Sequence, residues 1–467
     1  MDTPVVIYWF RQDLRIADNP ALSEAAAAGA VLPIYIFDDV HTDSYYPGGA
    51  SLWWLYHSLS ALQRALQGKL ALYRGDPAKI LPELASRYRA QAVYWNRCYE
   101  PWQVARDQSV ETALSQHVHH FNGSLLWEPS DIRKPDGTPY KVFTPFFNKG
   151  CLTSGPPRLP LPKPKRLNLV DSPCEAVSID SLQLLFEQSW SKKLEPHWTV
   201  GEEGATKQLA TFLSGGLSQY KEGRDFPARK AVSRLSPHLH FGELSPHTVW
   251  HAAQAKGSGH NLASFLSELG WREFSYYLLS HFPALPRQNL QKKFDRFPWK
   301  KDEQGLRAWQ RGETGYPFVD AGMRELWQTG YMHNRLRMVV GSFLVKNLLV
   351  DWRRGEEWFW DCLVDADLAS NSASWQWVAG SGADAAPYFR IFNPMKQGQR
   401  FDPEGEYTRR FVPEIARLPD NYLFCPWKAP ENVLQQVNLT LGKDYPLPIV
   451  DTDASRKEAL AAFGSLS

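Results

Sequence analysis

Residues 5–37 read VVIYWFRQDLRIADNPALSEAAAAGAVLPIYIF. Two short β-rich runs, VVIYWF (5–10) and VLPIYIF (31–37), flank an Ala-rich stretch, ADNPALSEAAAAG (17–29). Val, Ile, Tyr, Phe and Trp favour strands, and Ala and Leu favour helices. The alternation continues through LALYRG (70–75) and AVYWNR (92–97), which are strand-like. SLWWLYHSLSALQRALQG (51–68) and DPAKILPELASRYRA (76–90) are helical, with Asp76 at the cap and Pro77 in the first turn. Strand–helix alternation predicts a parallel, doubly wound sheet, so residues 1–130 are expected to form an α/β domain. The turn after the first strand has no GxGxxG, so this domain should not hold a dinucleotide in the usual way.

The character of the chain then changes. Residues 131–200 read as an interdomain connector. Within it GPPRLPLPKPKR (155–166) carries four basic and no acidic residues, which reads as an extended, solvated linker or an auxiliary DNA contact. From 201 to 467 the strand signal fades and amphipathic helices dominate, for example over 317–330 and 335–352. A larger all-α domain is expected there. No repeat of solenoid period is present.

A chain of 467 residues is expected to hold two or three domains. Its 52 basic and 50 acidic residues nearly cancel, so a polyanion partner would require a local basic face. The cysteines, at 98, 151, 174, 362 and 425, form no CxxC and no His/Cys cluster. That argues against a metal site and for free thiols in a reducing compartment. No leader pattern and no bilayer-length apolar run is present, so a cytoplasmic protein without membrane attachment is expected. SFLVKNLLV (342–350) is broken by Lys346 and Asn347 and reads as a buried helix. The 19 Trp leave room for redox or stacking roles beside packing.

Residues 365–393, DADLASNSASWQWVAGSGADAAPYFRIFN, concentrate carboxylates, an amide, two indoles one residue apart and an aromatic–Arg pair. Nothing in the block matches an acid–base dyad, a nucleophile elbow or a metal site. Trp alone reads as core. Here Asp365, Asp367, Asn371 and Asp384 are interleaved with the indoles, and buried polar groups need partners. A large aromatic cofactor that moves electrons would supply them. Ser233, Arg234 and Ser236 stand just before a helical stretch, where free backbone N–H groups favour phosphate. In HNRLRM (333–338), Asn334, Arg335 and Arg337 splay around a helix with an apolar flank, so at least one Arg is expected to be buried and paired.

Further motifs join this block: RLSPHLHFGELSP (234–246), ELGWREF (268–274), TGYPFVDAGMREL (314–326) and MHNRLRM (332–338). Together they resemble the photolyase/cryptochrome family, and within it the bacterial cyclobutane pyrimidine dimer photolyases. The resemblance starts at YWFRQDLRIADNPAL (8–22) and ends near residue 415. It implies FAD in the helical domain. Val232, Ser233, Arg234, Leu235 and Ser236 would cradle its pyrophosphate, with Tyr220 packed nearby. Val232 stands where the family often has a hydroxyl, so one side-chain hydrogen bond would be missing. Arg337 would pair with Asp365 beside the isoalloxazine, and Asn371 would meet its N5 edge. Trp271, Arg272, Asn334, Ala366 and Asp367 would complete the cofactor set. An amide at 371 can bond reduced flavin without titrating, whereas an Asp there, as in plant cryptochromes, could give up a proton.

The resemblance also implies an electron relay through Trp375, Trp352 and Trp299, each of which can equally be a packing residue. A flipped pyrimidine pair would meet Trp271 and Trp377 as a stacking wall, Glu268 and Asn334 as polar contacts, and Met338 as the apolar end. Arg224, Arg335, Arg390 and Gln397 would hold the distorted DNA backbone. Members acting on (6-4) lesions have a His pair where this chain has only His333, which points to cyclobutane dimers in ultraviolet-damaged DNA. A monomer is expected.

Two function classes follow. One is a light-driven repair enzyme, a deoxyribodipyrimidine photo-lyase, with Glu268, Asn371 and the three indoles in its chemistry. The other is a cryptochrome, a light sensor acting through partners; Asn371, the complete substrate set and the short tail after about residue 450 argue against it. A dark FAD oxidoreductase would need a nicotinamide site, for which the sequence offers nothing. A second, light-harvesting chromophore is expected in the N-terminal half. NRCYEPWQVARD (96–107) aligns with a region that contributes to folate binding in some photolyases, but Gln103 and Pro286 stand where certain members have an acid and a Cys. A folate such as methenyltetrahydrofolate, placed there or elsewhere, a deazaflavin and an empty pocket all remain open.

Overall fold

A computed structural model describes residues 3–42, 45–185, 189–385 and 389–466. The chain forms two compact units. The first comprises Met1–Ser218, Ser233–Pro283 and Val364–Ala369; the second comprises Gln219–Val232, Ala284–Leu363 and Ser370–Ser467.

The first unit is built on strands β1 (Val5–Phe10), β2 (Ala30–Phe37), β3 (Ala71–Arg74), β4 (Ala92–Asn96) and β5 (His117–Phe121). They form one sheet in the order β3-β2-β1-β4-β5, with every pair parallel. The order reverses at β1, the mark of a doubly wound sheet. Helices α1 (Pro20–Ala28), α2 (Gly49–Ala65), α3 (Pro77–Arg87) and α4 (Pro101–Ala113) connect the strands. Asn19 and Asp76 cap α1 and α3 by accepting from the Leu22 and Ala78 amides. Alternate residues of β1 feed two cores: Val6, Tyr8 and Phe10 pack on one face, Ile7 and Trp9 on the other.

The motif at 234–246 is docked onto this unit. The buried Arg15 guanidinium donates to the carbonyl oxygens of Gly123 at 2.6 Å and Gly242 at 2.9 Å. Gly242 has φ +67°, and a Cβ there would lie 2.1 Å from the Gln12 carbonyl oxygen, so only glycine fits. The Trp54 indole donates to Glu243 at 3.0 Å, and Glu243 meets His238 at 2.5 Å. In the basic connector, Arg158 pairs with Asp18 at 2.5 Å and Lys163 with Glu202 at 3.3 Å, so half of its four cations serve this unit's own carboxylates. The 23-residue helix α5 (Gly259–His281) is anchored by buried Glu273, which accepts from the Leu126 and Trp127 amides at 2.8 and 3.4 Å.

The second unit contains α6 (Pro317–Thr329), α7 (Asn334–Ser342), α8 (Trp352–Cys362) and most of α9 (Leu368–Ala379). Buried Asp320 accepts from Thr314, Gly315 and Tyr445, which accounts for the TGYPFVD motif as a structural lock. The single helix expected over 335–352 is interrupted. After α7 comes a π turn, Phe343–Asn347, and Leu349 then takes φ +54°. The Leu349 carbonyl oxygen accepts from the Lys300 amide at 2.7 Å, and Asp351 caps a new helix. Among the described residues no helix is long and apolar enough to cross a membrane.

Candidate functional site

In the first unit, α5 carries Glu268, Trp271 and Arg272, all half-buried. Phe143 stacks on Trp271 with centroids 3.9 Å apart and planes at 10°, so at most one face of this indole remains for another flat partner. Arg272 donates to the Ser124 carbonyl oxygen at 2.9 Å, pairs with Glu273 at 3.2 Å, and lies over the Tyr276 ring at 5.0 Å. Burial pushes the Glu273 carboxyl up to about 7. Tyr276 donates a short hydrogen bond to Asp367, and His240 Nδ1 lies 3.3 Å from the same carboxylate. Burial alone would raise Asp367, but His240, Arg272 and Tyr276 hold it well below the usual carboxylate range. Burial and the Asp367 charge push the neighbouring Glu100 carboxyl the other way. Asp365 and Ala366 are buried in the same segment.

The 233–236 segment has a shape suited to an anion. Arg234 has φ +53° and Leu235 follows in the right-handed region. Such a pair turns successive N–H groups to one side, as in anion-binding nests. Ser233 Oγ accepts from the Leu235 amide at 3.4 Å, and Arg234 lies over Trp198 at 4.4 Å. The helix that Ser236 opens is only five residues, Ser236–His240, so local backbone geometry matters here more than a macrodipole.

In the second unit, Asn334, Arg335, Arg337 and Met338 share α7, and Val232 and Tyr220 lie earlier in the chain. Neither α7 arginine is fully buried. Arg335 pairs with Asp225 at 2.6 Å and lies 4.1 Å from the Phe401 ring centre. Arg337 donates to the Met332 carbonyl oxygen at 2.8 Å. His333 caps α7 through Nδ1, and burial pushes its imidazole down to about 4, so it is neutral. Arg224 lies over Tyr220 at 5.4 Å, and Arg390 lies 6.0 Å from the Trp377 ring centre. Gln397 Oε1 is buried with no hydrogen-bond partner among the described residues.

Asn371 is buried, and one N–H of its amide donates to the Glu356 carbonyl oxygen at 3.0 Å. Ser372 donates to the Glu356 carboxyl, which burial pushes up to about 8. Trp375 is buried against Phe359 and Trp309, at 5.0 and 6.1 Å between ring centroids. Trp352 is fully buried and donates to Asn289 at 3.0 Å. Trp299 is half-buried beside Phe297 at 4.3 Å.

Sequence reasoning missed His240, Tyr276, Phe143, Asp225, Glu356 and Trp309. His240 lay inside a quoted motif; the others carried no local signal. In the first unit, the turn at Ser233–Ser236 and the ionised, buried Asp367 suit a phosphate-bearing ligand with a polar ring system. Among the described residues no group of His, Cys, Asp and Glu could hold a metal ion.

Residues 6–165 match the family model for DNA photolyase, and residues 265–465 match that for the FAD binding domain of DNA photolyase. Over its full length the chain is 48% identical to the deoxyribodipyrimidine photo-lyase of Agrobacterium fabrum, covering 99% of that protein. This chain belongs to the DNA photolyase family. The photolyase fold is equally plain in the coordinates. A crystal structure of a bacterial class III photolyase from Agrobacterium tumefaciens superposes with a TM-score of 0.95 at 47% identity, covering 100% of this chain and 98% of that one. Cryptochrome-1 of Arabidopsis thaliana is 38% identical over 98% of this chain and 70% of its own.

Proposed function

We propose that the protein is a deoxyribodipyrimidine photo-lyase that splits cyclobutane pyrimidine dimers in ultraviolet-damaged DNA. The observation that carries this reading is Trp271, stacked by Phe143 and sharing one helix with Glu268 three residues before it, an aromatic wall beside a polar group. Bound in reduced form, FAD supplies on absorbing near-ultraviolet or blue light the electron that opens the dimer, and takes it back afterwards. The chain's own groups do the rest. Val232, Ser233, Arg234, Leu235 and Ser236 hold the pyrophosphate, with Tyr220 nearby. Asp365, Ala366, Asp367, Arg272, Asn334 and Arg337 line the cofactor, and Asn371 offers a non-titrating amide to the flavin edge. Trp299, Trp352 and Trp375 restore its redox state.

The dimer is taken out of the duplex. Trp271, backed by Phe143, offers its other face to one base, and Trp377 offers a second wall. Glu268 and Asn334 bond the carbonyl and imide edges, and Met338 closes the apolar end. Arg224, Arg335, Arg390 and Gln397 hold the backbone. The protein acts as a cytoplasmic monomer.

A second chromophore, a folate or a deazaflavin, binds the first unit. Support comes from the carboxyl ends of the central strands β1 and β4, where the strand order reverses. Trp9 Nε1, Arg11 Nε and Gln103 Oε1 are buried there with no hydrogen-bond partner among the described residues. An absorption spectrum of the chromophores extracted from purified protein identifies it.

Glu268→Ala tests the repair reading. It should lower both lesion affinity and repair yield per absorbed photon. A sensor that works only through protein partners would be indifferent to the change.

A further inference from the structure

Lys346 is a buried charge of the second unit. It lies in the π turn Phe343–Asn347 and is only 3% exposed. Among the described residues no carboxylate pairs with it. Its ammonium donates a short hydrogen bond to the Arg390 carbonyl oxygen and lies 4.5 Å from the centre of the Phe389 ring. A buried cation without a counter-ion is costly, and π turns inside helices are frequent at functional sites. Burial, with the Arg390 charge adding to it, pulls this amine down to about 7.

The groups it touches belong to one short segment. Phe389 is stacked on Phe463 at 4.5 Å, and the Phe392 amide donates to Ser342 Oγ at the end of α7, at 3.2 Å. The segment is thus held to the α7–π-turn region at two points, Lys346 and Ser342. What it presents is Arg390, an exposed guanidinium near the half-buried Trp377. Lys346 is almost wholly buried, so its influence on a ligand runs through the backbone of Arg390.

We propose that Lys346 is a positioning residue for lesion binding: its ammonium holds the Arg390 carbonyl oxygen, with the Phe389 ring against it, and so fixes the Arg390 guanidinium beside Trp377. This rests on the proposed repair function, which assigns Arg390 to the DNA backbone and Trp377 to the stacking wall. A carbonyl clasp also fits the chemistry of the contact, because a lysine ammonium is a compact donor that a backbone oxygen can satisfy.

The test is a double-mutant cycle on full-length, FAD-loaded protein, with Lys346→Met, Arg390→Ala and both together. Affinity is measured for a duplex with one cyclobutane dimer, and hydrogen exchange is followed over residues 389–393. Lys346→Met should speed exchange there and weaken lesion binding about two- to tenfold. The loss should fall on the dissociation constant and not on the repair yield of the saturated complex. It should also vanish in the Arg390→Ala background. Unchanged exchange, or losses that multiply across the cycle, would overturn the clasp. A wild-type protein with no preference for damaged over undamaged duplex would instead overturn the repair reading, and the DNA role of Lys346 with it.

Discussion

The side-chain amide of Asn371 donates to the backbone carbonyl oxygen of Glu356 at 3.0 Å. The next residue, Ser372, donates to the Glu356 carboxyl, so α8 and α9 meet through one glutamate. Burial holds that carboxyl neutral up to about pH 8, against an ordinary value of 4.5. A raised carboxyl supports the fold at low pH. Its contribution is complete below about 4.5 and is lost as pH rises through about 8. Chemical unfolding from pH 5 to 9 should show wild type losing up to about tenfold in folding equilibrium per pH unit from this group. Glu356→Gln should flatten that slope. Parallel profiles for the two proteins would show that Glu356 titrates normally.

Trp352 is fully buried and its indole is bonded to Asn289. Trp352→Phe should block photoreduction of oxidised FAD, while enzyme reduced chemically still repairs. The variant leaves Asn289 without its donor, at a cost of about 1–3 kcal/mol, so it should melt lower. Flash photoreduction kinetics decide the matter, and an unchanged rate would assign the electrons to another route.

Trp271→Ala removes a stacking surface backed by Phe143. Base–aromatic stacking is worth about 1–3 kcal/mol, so lesion affinity should fall roughly 5- to 150-fold. Binding to undamaged duplex should change little. Equal losses on both duplexes would mean that Trp271 does not meet the lesion.

Arg335 is held by Asp225 and Phe401, and the proposed function assigns it to the DNA backbone. Arg335→Ala should weaken lesion binding and reduce the slope of log affinity against log salt by about 0.9, the value for one phosphate contact. A weaker complex with an unchanged slope would assign Arg335 to the lesion itself.

The sequence made the sheet legible because β1 to β4 are β-rich runs between Ala- and Leu-rich helices. The fifth strand, HVHHF at 117–121, escaped notice: it is an edge strand with three histidines and no buried residue. The break after α7 was equally hidden. No Gly or Pro lies between Phe343 and Asp351 to mark it; Leu349 takes the positive φ, and its carbonyl oxygen accepts from the distant Lys300 amide. At the site, motifs exposed Asp367 and Asn371 but not what sets their chemistry. His240 and Tyr276 reach Asp367 from 127 and 91 residues away in sequence, a relation that only the folded chain creates.

Light-driven repair of cyclobutane dimers is measured on the chemically reduced, full-length protein. It is illuminated with two defined oligonucleotides, one carrying a single cyclobutane pyrimidine dimer and one a single (6-4) lesion, and the products are resolved by chromatography. Light should restore the cyclobutane substrate and leave the (6-4) substrate unchanged. Repair of the (6-4) lesion alone would contradict the substrate assignment, and repair of neither would contradict the enzyme itself.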